Sequence, residues 1–537
     1  MPDILLIQPP IREFYLTAKR TVPYGLACLA AALERAGFSV AILDALASSR
    51  SRVIPWPDEL THLRPHYGRP DRSPFALFHT FRHFGLSLER LGQLARASGA
   101  RLVGIASLFS AYADEALAVA EAVKRGHPGC TVVLGGHHPT ALPARALAAP
   151  AVDLVIRGEG ELPLVQLALA LREGRDPAGI PGLCRGDAIA APAFAEELDA
   201  LPPPAGHHLP DFYRGRAVVV TSRGCPFSCS YCSVGAGSPI PYRRRSVAPV
   251  LEEIRRAAAA GARLIDFEDE NLSFEGEWLH ALLDGVAREL PGLELRAMNG
   301  LLPHTLDAAL VSAMKRAGFR TLNLSLGSSS AEQLRRFRRP DERAAFERVL
   351  GDCEEQGLAA VGYVIVGAPG QDPRASLADL LYLAELRVLA GVSVYYPAPG
   401  SEDYARCAAT GLLPDHLGQL RATALPVEDS TNRLQAATLL RLGRVLNFAK
   451  RLVDAGEGLP APRPLDGEQL DPAPARRTEV GRRLLAALLH DGVLRGVTPQ
   501  GELYAHAVAP ELVEEFVEGI CRRALRGAGL AKPAAVC

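Results

Sequence analysis

Short apolar runs that alternate with helix-period segments predict an α/β chain, with two β/α domains followed by a helical region. Three observations carry this. Five β/α units precede a Pro-rich connector, six strand-like runs follow it, and strand signals fade after about Ser430. The boundaries expected are residues 1–195 for the first domain, a linker over 196–215, the second domain over 216–425 and a mostly helical region over 426–537.

Ile4 to Ile7 is the first strand, closed by Gln8-Pro9-Pro10. Pro23-Tyr24-Gly25-Leu26 opens an alanine-rich helix that ends near Gly37, a good C-cap residue. Ser39 to Leu43, Leu102 to Ala106, Thr131 to Leu134 and Val152 to Ile156 supply four further strands. Gly135-Gly136 breaks one of them, and Arg157-Gly158-Glu159-Gly160-Glu161 leads from the last into a helix. Such units suit a doubly wound, Rossmann- or flavodoxin-like sheet, which binds ligands beyond the carboxyl ends of its strands. Residues 50–86 break the rhythm with five prolines and with His62, His66, His79 and His83. They read as an irregular insertion that lids the ligand site, its histidines as solvent-exposed loop residues.

The connector Leu201 to Pro210 marks a domain boundary. Beyond it, strands are expected at 217–221, 263–267, 293–298, 320–326, 360–366 and 392–396. Six repeats suit a partial (β/α)6 barrel of the TIM type, with its active site at the carboxyl ends. Leu434 to Ala455, Thr478 to His490 and Glu511 to Leu525 are helical by period.

A net charge of -1 offers no electrostatic footprint for nucleic acid. The start, Met1-Pro-Asp-Ile-Leu, lacks the basic region of a signal peptide, and no apolar run has the length of a membrane span. Seven of the ten cysteines are scattered: Cys28, Cys130, Cys184, Cys353, Cys407, Cys521 and Cys537. That pattern fits a reducing cytoplasm better than a disulfide framework.

The other three form Cys225-x3-Cys229-x2-Cys232, directly after the strand Ala217 to Thr221. Thiolates this close suit one metal centre. A zinc site would need a distant fourth ligand, with His207 or His208 as candidates, and the spacing is not that of a zinc ribbon. A [4Fe–4S] cluster on three thiolates instead leaves one iron for an outside ligand. With Tyr231 before the last cysteine, the segment resembles the signature of the radical S-adenosylmethionine (SAM) superfamily.

That resemblance implies that Cys225, Cys229 and Cys232 hold the cluster, whose free iron is chelated by the amino and carboxylate groups of SAM. The Tyr231 backbone would lie near the adenine. Glu268 and Asp269, at the end of the second barrel strand, stand where relatives meet the SAM amino group. Asn299 would meet the ribose, and Ser325 lies in Leu324-Ser-Leu-Gly-Ser-Ser-Ser330, where Gly327 replaces a frequent glutamate. Arg338 or Arg339 would reach the SAM carboxylate. Gly367, in Gly-Ala-Pro-Gly370, and the Pro397-Ala-Pro-Gly400 loop would act through their backbones. Independently of the resemblance, Tyr395 and Tyr396 at the end of the sixth strand read either as lining a substrate pocket or as ordinary strand aromatics.

Pro23-Tyr-Gly-Leu26, Leu134-Gly-Gly-His-His-Pro-Thr140 and Arg157-Gly-Glu-Gly-Glu161 together resemble the cobalamin-binding domain fused to one large radical SAM class. The resemblance assigns Pro23, Gly25, Leu26, Ser107, Gly135, Gly136, His138, Gly158 and Glu159 to cobalamin contacts. No Asp-x-His-x-x-Gly segment is present to ligate cobalt from below. Radical SAM methylthiotransferases carry a second cluster in their N-terminal domain, for which Cys28, Cys130 and Cys184 are too widely spread.

The implied function is that of a cobalamin-dependent radical SAM enzyme, a methyltransferase moving a methyl group from methylcobalamin to an unactivated carbon through a 5′-deoxyadenosyl radical. A cyclase or other rearrangement enzyme acting on a natural-product or pigment precursor is the alternative. A non-catalytic cobalamin and Fe–S sensor is a third reading. A small or lipid-like substrate and a reductant such as flavodoxin or ferredoxin complete the expectation.

Overall fold

The computed structural model describes residues 1–15, 22–234, 241–465 and 469–529; Cys537 lies outside them. The first unit begins with β1 (Ile4–Gln8) and β2 (Ile11–Glu13), then β3 (Val40–Asp44), β4 (Ser51–Ile54) and β5 (Phe81–Phe84). It continues with β6 (Leu102–Ala106), β7 (Thr131–Gly135), β8 (Leu154–Ile156) and β9 (Leu183–Cys184). The main sheet runs β3-β1-β6-β7-β8-β9, parallel throughout except for β9. Its first five strands follow the flavodoxin order, with the switch point between β1 and β6. Alternate residues feed opposite cores: Leu5 and Ile7 pack with Val103, Ile105 and Val132 on one face, while Ile4 and Leu6 pack with Leu102 and Val133 on the other. In a sheet of this order a ligand sits in the crevice at the carboxyl ends where β1 and β6 part.

Residues 50–86 correct the expectation of an irregular lid. Two short strands, β4 and β5, pair antiparallel with each other, and β5 pairs antiparallel with β2; between β4 and β5 lie a 3-10 segment, Asp58–Leu63, and a helical turn, Arg64–Tyr67. Phe14, Trp56, Tyr67, Phe78 and Phe81 make an edge-to-face aromatic cluster beneath this ribbon. The prolines and histidines hide the strands in the sequence because each is only four residues long. The four histidines are half-buried rather than exposed. His62, for instance, bridges the carbonyls of Glu59 and Ala424.

The second unit contains β10 (Arg216–Val219), a short ribbon of β11 (Ser222–Arg223) and β12 (Arg243–Arg244), and then β13 (Leu264–Phe267) and β14 (Glu294–Ala297). The strands β15 (Thr321–Gly327), β16 (Ala359–Val366) and β17 (Leu389–Val394) follow. Its parallel strands form two sheets, β10-β13-β14 and β15-β16-β17, joined across the seam by the bridges Leu295 to Phe319 and Leu301 to Leu324. The result is an open six-stranded barrel.

Three helices close the chain: Arg433–Asp454, started by an Asn432/Gln435 capping box, then Arg477–Asp491 and Pro510–Arg522. Between the last two lies a hairpin that helical periodicity does not predict, β18 (Arg495–Val497) with β19 (Leu503–Ala505), turning at Thr498-Pro-Gln-Gly501. The hairpin and the helix Arg433–Asp454 grip the insertion through a buried cluster: His506 bonds Asp71 at 3.0 Å, and Arg441 lies 3.8 Å from the same carboxylate.

Candidate active site between two sets of strand ends

The cysteine loop is built on a buried staple. Asp269, 2 % exposed just past β13, accepts hydrogen bonds from the backbone and hydroxyl groups of both Thr221 and Ser222. This fixes the chain as it leaves β10 and enters β11. Gly224 then turns with φ +80°, where a Cβ would meet the Pro241 carbonyl at 2.6 Å. Cys225, Cys229 and Cys232 follow, all half-buried. Ser230 ties the loop to the barrel: its N–H donates to Phe337 O, its hydroxyl bonds Asp403, and its carbonyl accepts the Asp403 N–H. Asn271 directs its amide at Cys225 Sγ, 3.8 Å away, a donor suited to a thiolate. His207 and His208 do not complete a zinc site here; both face Glu34 on the first helix.

Asp269 is thus occupied, and Glu268 is half-buried beside it. The carboxylate that the sequence reading missed is Glu270, whose buried Oε2 has no partner and whose pKa burial pushes up to about 7. Asn299, exposed at the end of β14, donates to the Asp269 carbonyl at 3.1 Å. The two arginines separate cleanly. Arg338 has φ +52° and turns outward to pair with exposed Glu402 at 2.6 Å. Arg339 turns inward, donates to Tyr231 Oη and Ser325 Oγ, each at 2.9 Å, and keeps a buried Nε without a partner. Gly327, with φ +82°, packs directly against it: a Cβ there would touch Arg339 Cδ and Nε at 3.4 Å. Arg339, not Arg338, is the guanidinium inside the barrel mouth. Gly367 closes β16 with φ +76°. Tyr395 is buried and Tyr396 is exposed.

In the first domain the Gly135-Gly136 turn brings backbone close to backbone. Gly136 has φ +122°, and a Cβ on it would sit 2.6 Å from Ser107 O, whereas space beside Gly135 is open. His138 is 1 % exposed; its N–H donates to Ser107 O and its Nδ1 bonds Ser110 Oγ at 3.0 Å. Burial first, then the Arg145 charge, lowers its pKa to about 4, so the ring is neutral. His138 Nε2 and Ser107 Oγ are both buried and unpartnered. Such orphaned polar atoms mark a place where a ligand completes the hydrogen bonding. Gly25 is exposed at the start of the first helix beside buried Pro23. Two expected contacts lie elsewhere: Leu26 packs in the sheet core, and Glu159 is engaged by arginines of the second domain. Gly158 turns with φ +85° against Ala193.

Gly400, φ +91°, shows that the two sets of strand ends meet. A Cβ on this residue of the sixth-strand loop would lie 3.5 Å from Ala141, in the helix after the Gly-Gly turn, and 3.6 Å from Ser233 of the cysteine loop. The three thiols, the unpaired Glu270 and Arg339 atoms and the unpaired His138 and Ser107 atoms fit a thiolate-held cluster, SAM and a corrin respectively.

A B12 binding domain model matches residues 79–168, and a radical SAM superfamily model matches residues 219–381. An uncharacterised methyltransferase of Pyrococcus horikoshii is 28 % identical over 341 residues, 61 % of this chain and 74 % of its own. The cytidylyl-2-hydroxyethylphosphonate methyltransferase of Streptomyces wedmorensis is 23 % identical over 68 % of this chain and 73 % of its own. The solved radical SAM methyltransferase TsrM of Kitasatospora setae, with cobalamin and a [4Fe–4S] cluster bound, superposes with a TM-score of 0.60 at 21 % identity, over 76 % of this chain and 78 % of its own. The chain joins a B12 binding domain to a radical SAM superfamily domain, in the order in which the sequence places them.

Proposed function

We propose that the chain is a methyltransferase that places a methyl group on an unactivated carbon of a small or lipid-like molecule. The observation that carries this reading is the junction at Gly400, where the loop of the cobalamin domain, the cysteine loop and the last barrel strand come within van der Waals reach. When bound, the cluster with SAM supplies a carbon radical that removes hydrogen, and the corrin supplies the methyl group.

The chain's own residues bind and orient. Cys225, Cys229 and Cys232 hold the cluster, and Asn271 donates to the first of them. Glu270, whose Oε2 is buried without a partner, meets the SAM ammonium, a charge partner that favours its ionised form. Arg339, held between Tyr231 and Ser325, offers its positive charge and its buried, unpartnered Nε to the SAM carboxylate. Ser107 and His138 meet the corrin or its nucleotide tail, and the glycines of the Gly-Gly turn let backbone approach it. Two electrons per turnover come from a flavodoxin- or ferredoxin-type donor in the cytoplasm. No described helix is long and apolar enough to cross a membrane.

The test uses anaerobically reconstituted full-length protein, dithionite and SAM with a deuterated methyl group. Methyl transfer yields S-adenosylhomocysteine and 5′-deoxyadenosine in equal amounts, with label reaching cobalamin. 5′-Deoxyadenosine without S-adenosylhomocysteine would point to a rearrangement enzyme. No SAM cleavage by protein that carries cluster and corrin would overturn the catalytic reading in favour of a sensor.

A further inference from the structure

Both carboxylates of the Arg-Gly-Glu-Gly-Glu loop leave their own domain. Glu159 takes Arg243 at 2.5 and 3.1 Å and lies 3.3 Å from Arg223, while Glu161 takes the other Arg223 nitrogen at 2.5 Å. Glu159 Oε2 also accepts the Ala195 N–H, and Arg243 donates to the Ala195 carbonyl. The four charged side chains are 7 to 22 % exposed. Arg223 and Arg243 are direct cross-strand partners in the β11–β12 ribbon. That ribbon is the neck of the cysteine loop, and Cys225 stands two residues beyond Arg223. The strained turn at Gly158, which no side chain fits against Ala193, brings Glu159 out toward the ribbon.

Burying two carboxylates and two guanidiniums gains little net stability, because desolvation offsets their attraction. What such a ring does well is fix geometry, since each guanidinium presents directional donors and any shift of the ribbon leaves a buried charge unmatched. The apolar domain contacts carry no such directional demand. We propose that Glu159 and Glu161 are positioning residues that lock the neck of the cluster loop onto the B12-binding domain, so that the ion-pair ring sets the cluster's bearing on the corrin. The proposal rests on the reading that Cys225, Cys229 and Cys232 hold the cluster.

The experiment compares reconstituted full-length wild type, the near-isosteric Glu159→Gln/Glu161→Gln variant, Arg243→Glu and the charge exchange Glu159→Arg/Arg243→Glu. Iron content, cobalamin absorbance, hydrogen exchange and the paramagnetic resonance of the reduced cluster with and without SAM are measured on each. The glutamine variant should keep iron and cobalamin at wild-type stoichiometry. Its amide exchange should rise on the order of tenfold in peptides spanning residues 221–225 and 241–245, and nowhere else to the same degree. Its cluster signal should broaden in the presence of SAM, and the charge exchange should recover both properties relative to Arg243→Glu. Unchanged neck exchange with iron retained, or exchange raised evenly over the chain, would overturn the lock. Iron absent from the reconstituted wild type would overturn the cluster reading beneath it.

Discussion

The two sets of strand ends prepare for ligands in opposite ways. At the cobalamin-binding end, space is made by glycine, and the available polar atoms, His138 Nε2 and Ser107 Oγ, are neutral and unpaired. At the barrel end, charge is concentrated, and most of it is already committed: Asp269 to Thr221 and Ser222, Arg339 to Tyr231 and Ser325. A large neutral ring needs shape and close backbone, whereas a zwitterionic cosubstrate on a metal cluster needs fixed charges.

That contrast fails altogether if the cysteines are incidental. Cys229→Ala should lose the cluster absorbance and reduce SAM cleavage to background while leaving cobalamin binding in place, as read by iron analysis and 5′-deoxyadenosine formation. The two neighbouring carboxylates should then part ways. Asp269→Ala strands four buried donors and should lower stability by about 3 kcal/mol or more, visible as a lower denaturant midpoint. Glu270→Gln should leave that midpoint in place and raise the KM for SAM, because only its unpaired oxygen is in use.

On the corrin side, pH is the probe. The His138 pKa of about 4 lies below the ordinary value of 6.5, so as pH falls the unfolded chain takes up the proton first. Stability of the cobalamin-free protein should be full above about 6.5 and decline toward about 4, by up to about 3 kcal/mol from this residue. His138→Gln should flatten that part of the profile, measured by urea unfolding at a series of pH values. The smallest effect belongs to the outward arginine. Arg338→Ala should cost under about 1 kcal/mol and leave SAM binding unchanged, because both it and its partner Glu402 are exposed. Arg339→Ala should weaken SAM binding measurably in the same assay.

Much of this was legible in the chain itself. All eleven expected strands of the two large units appear within a few residues of their places, because each is a short apolar run and most end near a glycine, proline or acidic residue. The cysteine triplet declares itself by spacing alone. What escaped was direction. Nothing in Arg338-Arg339 says which one turns inward; the left-handed backbone at Arg338 decides it. In Glu268-Asp269-Glu270 the strand end gives three carboxylates, and only the fold shows that the middle one is a staple. Glu159 reads as a ligand-loop residue, although its partners lie 64 and 84 positions further along the chain. The hairpin at 495–505 was hidden by strands of three residues each, too short to show a period.

Arg421 gives the assembly a property of its own. Fully enclosed just after the barrel, it donates to the carbonyls of Arg12 and Ala111 and to the Glu13 carboxylate, while Thr423 binds the other oxygen of Glu13. The loop carrying Ala111 follows β6, so this rivet sits at the switch point of the first sheet. With the Glu159 and Glu161 contacts as a second fastening, the two domains are pinned at separate points, so a hinge-like opening would break both buried ion-pair groups at once. Release of a bound corrin should then be slow, which a chase with free cobalamin would measure.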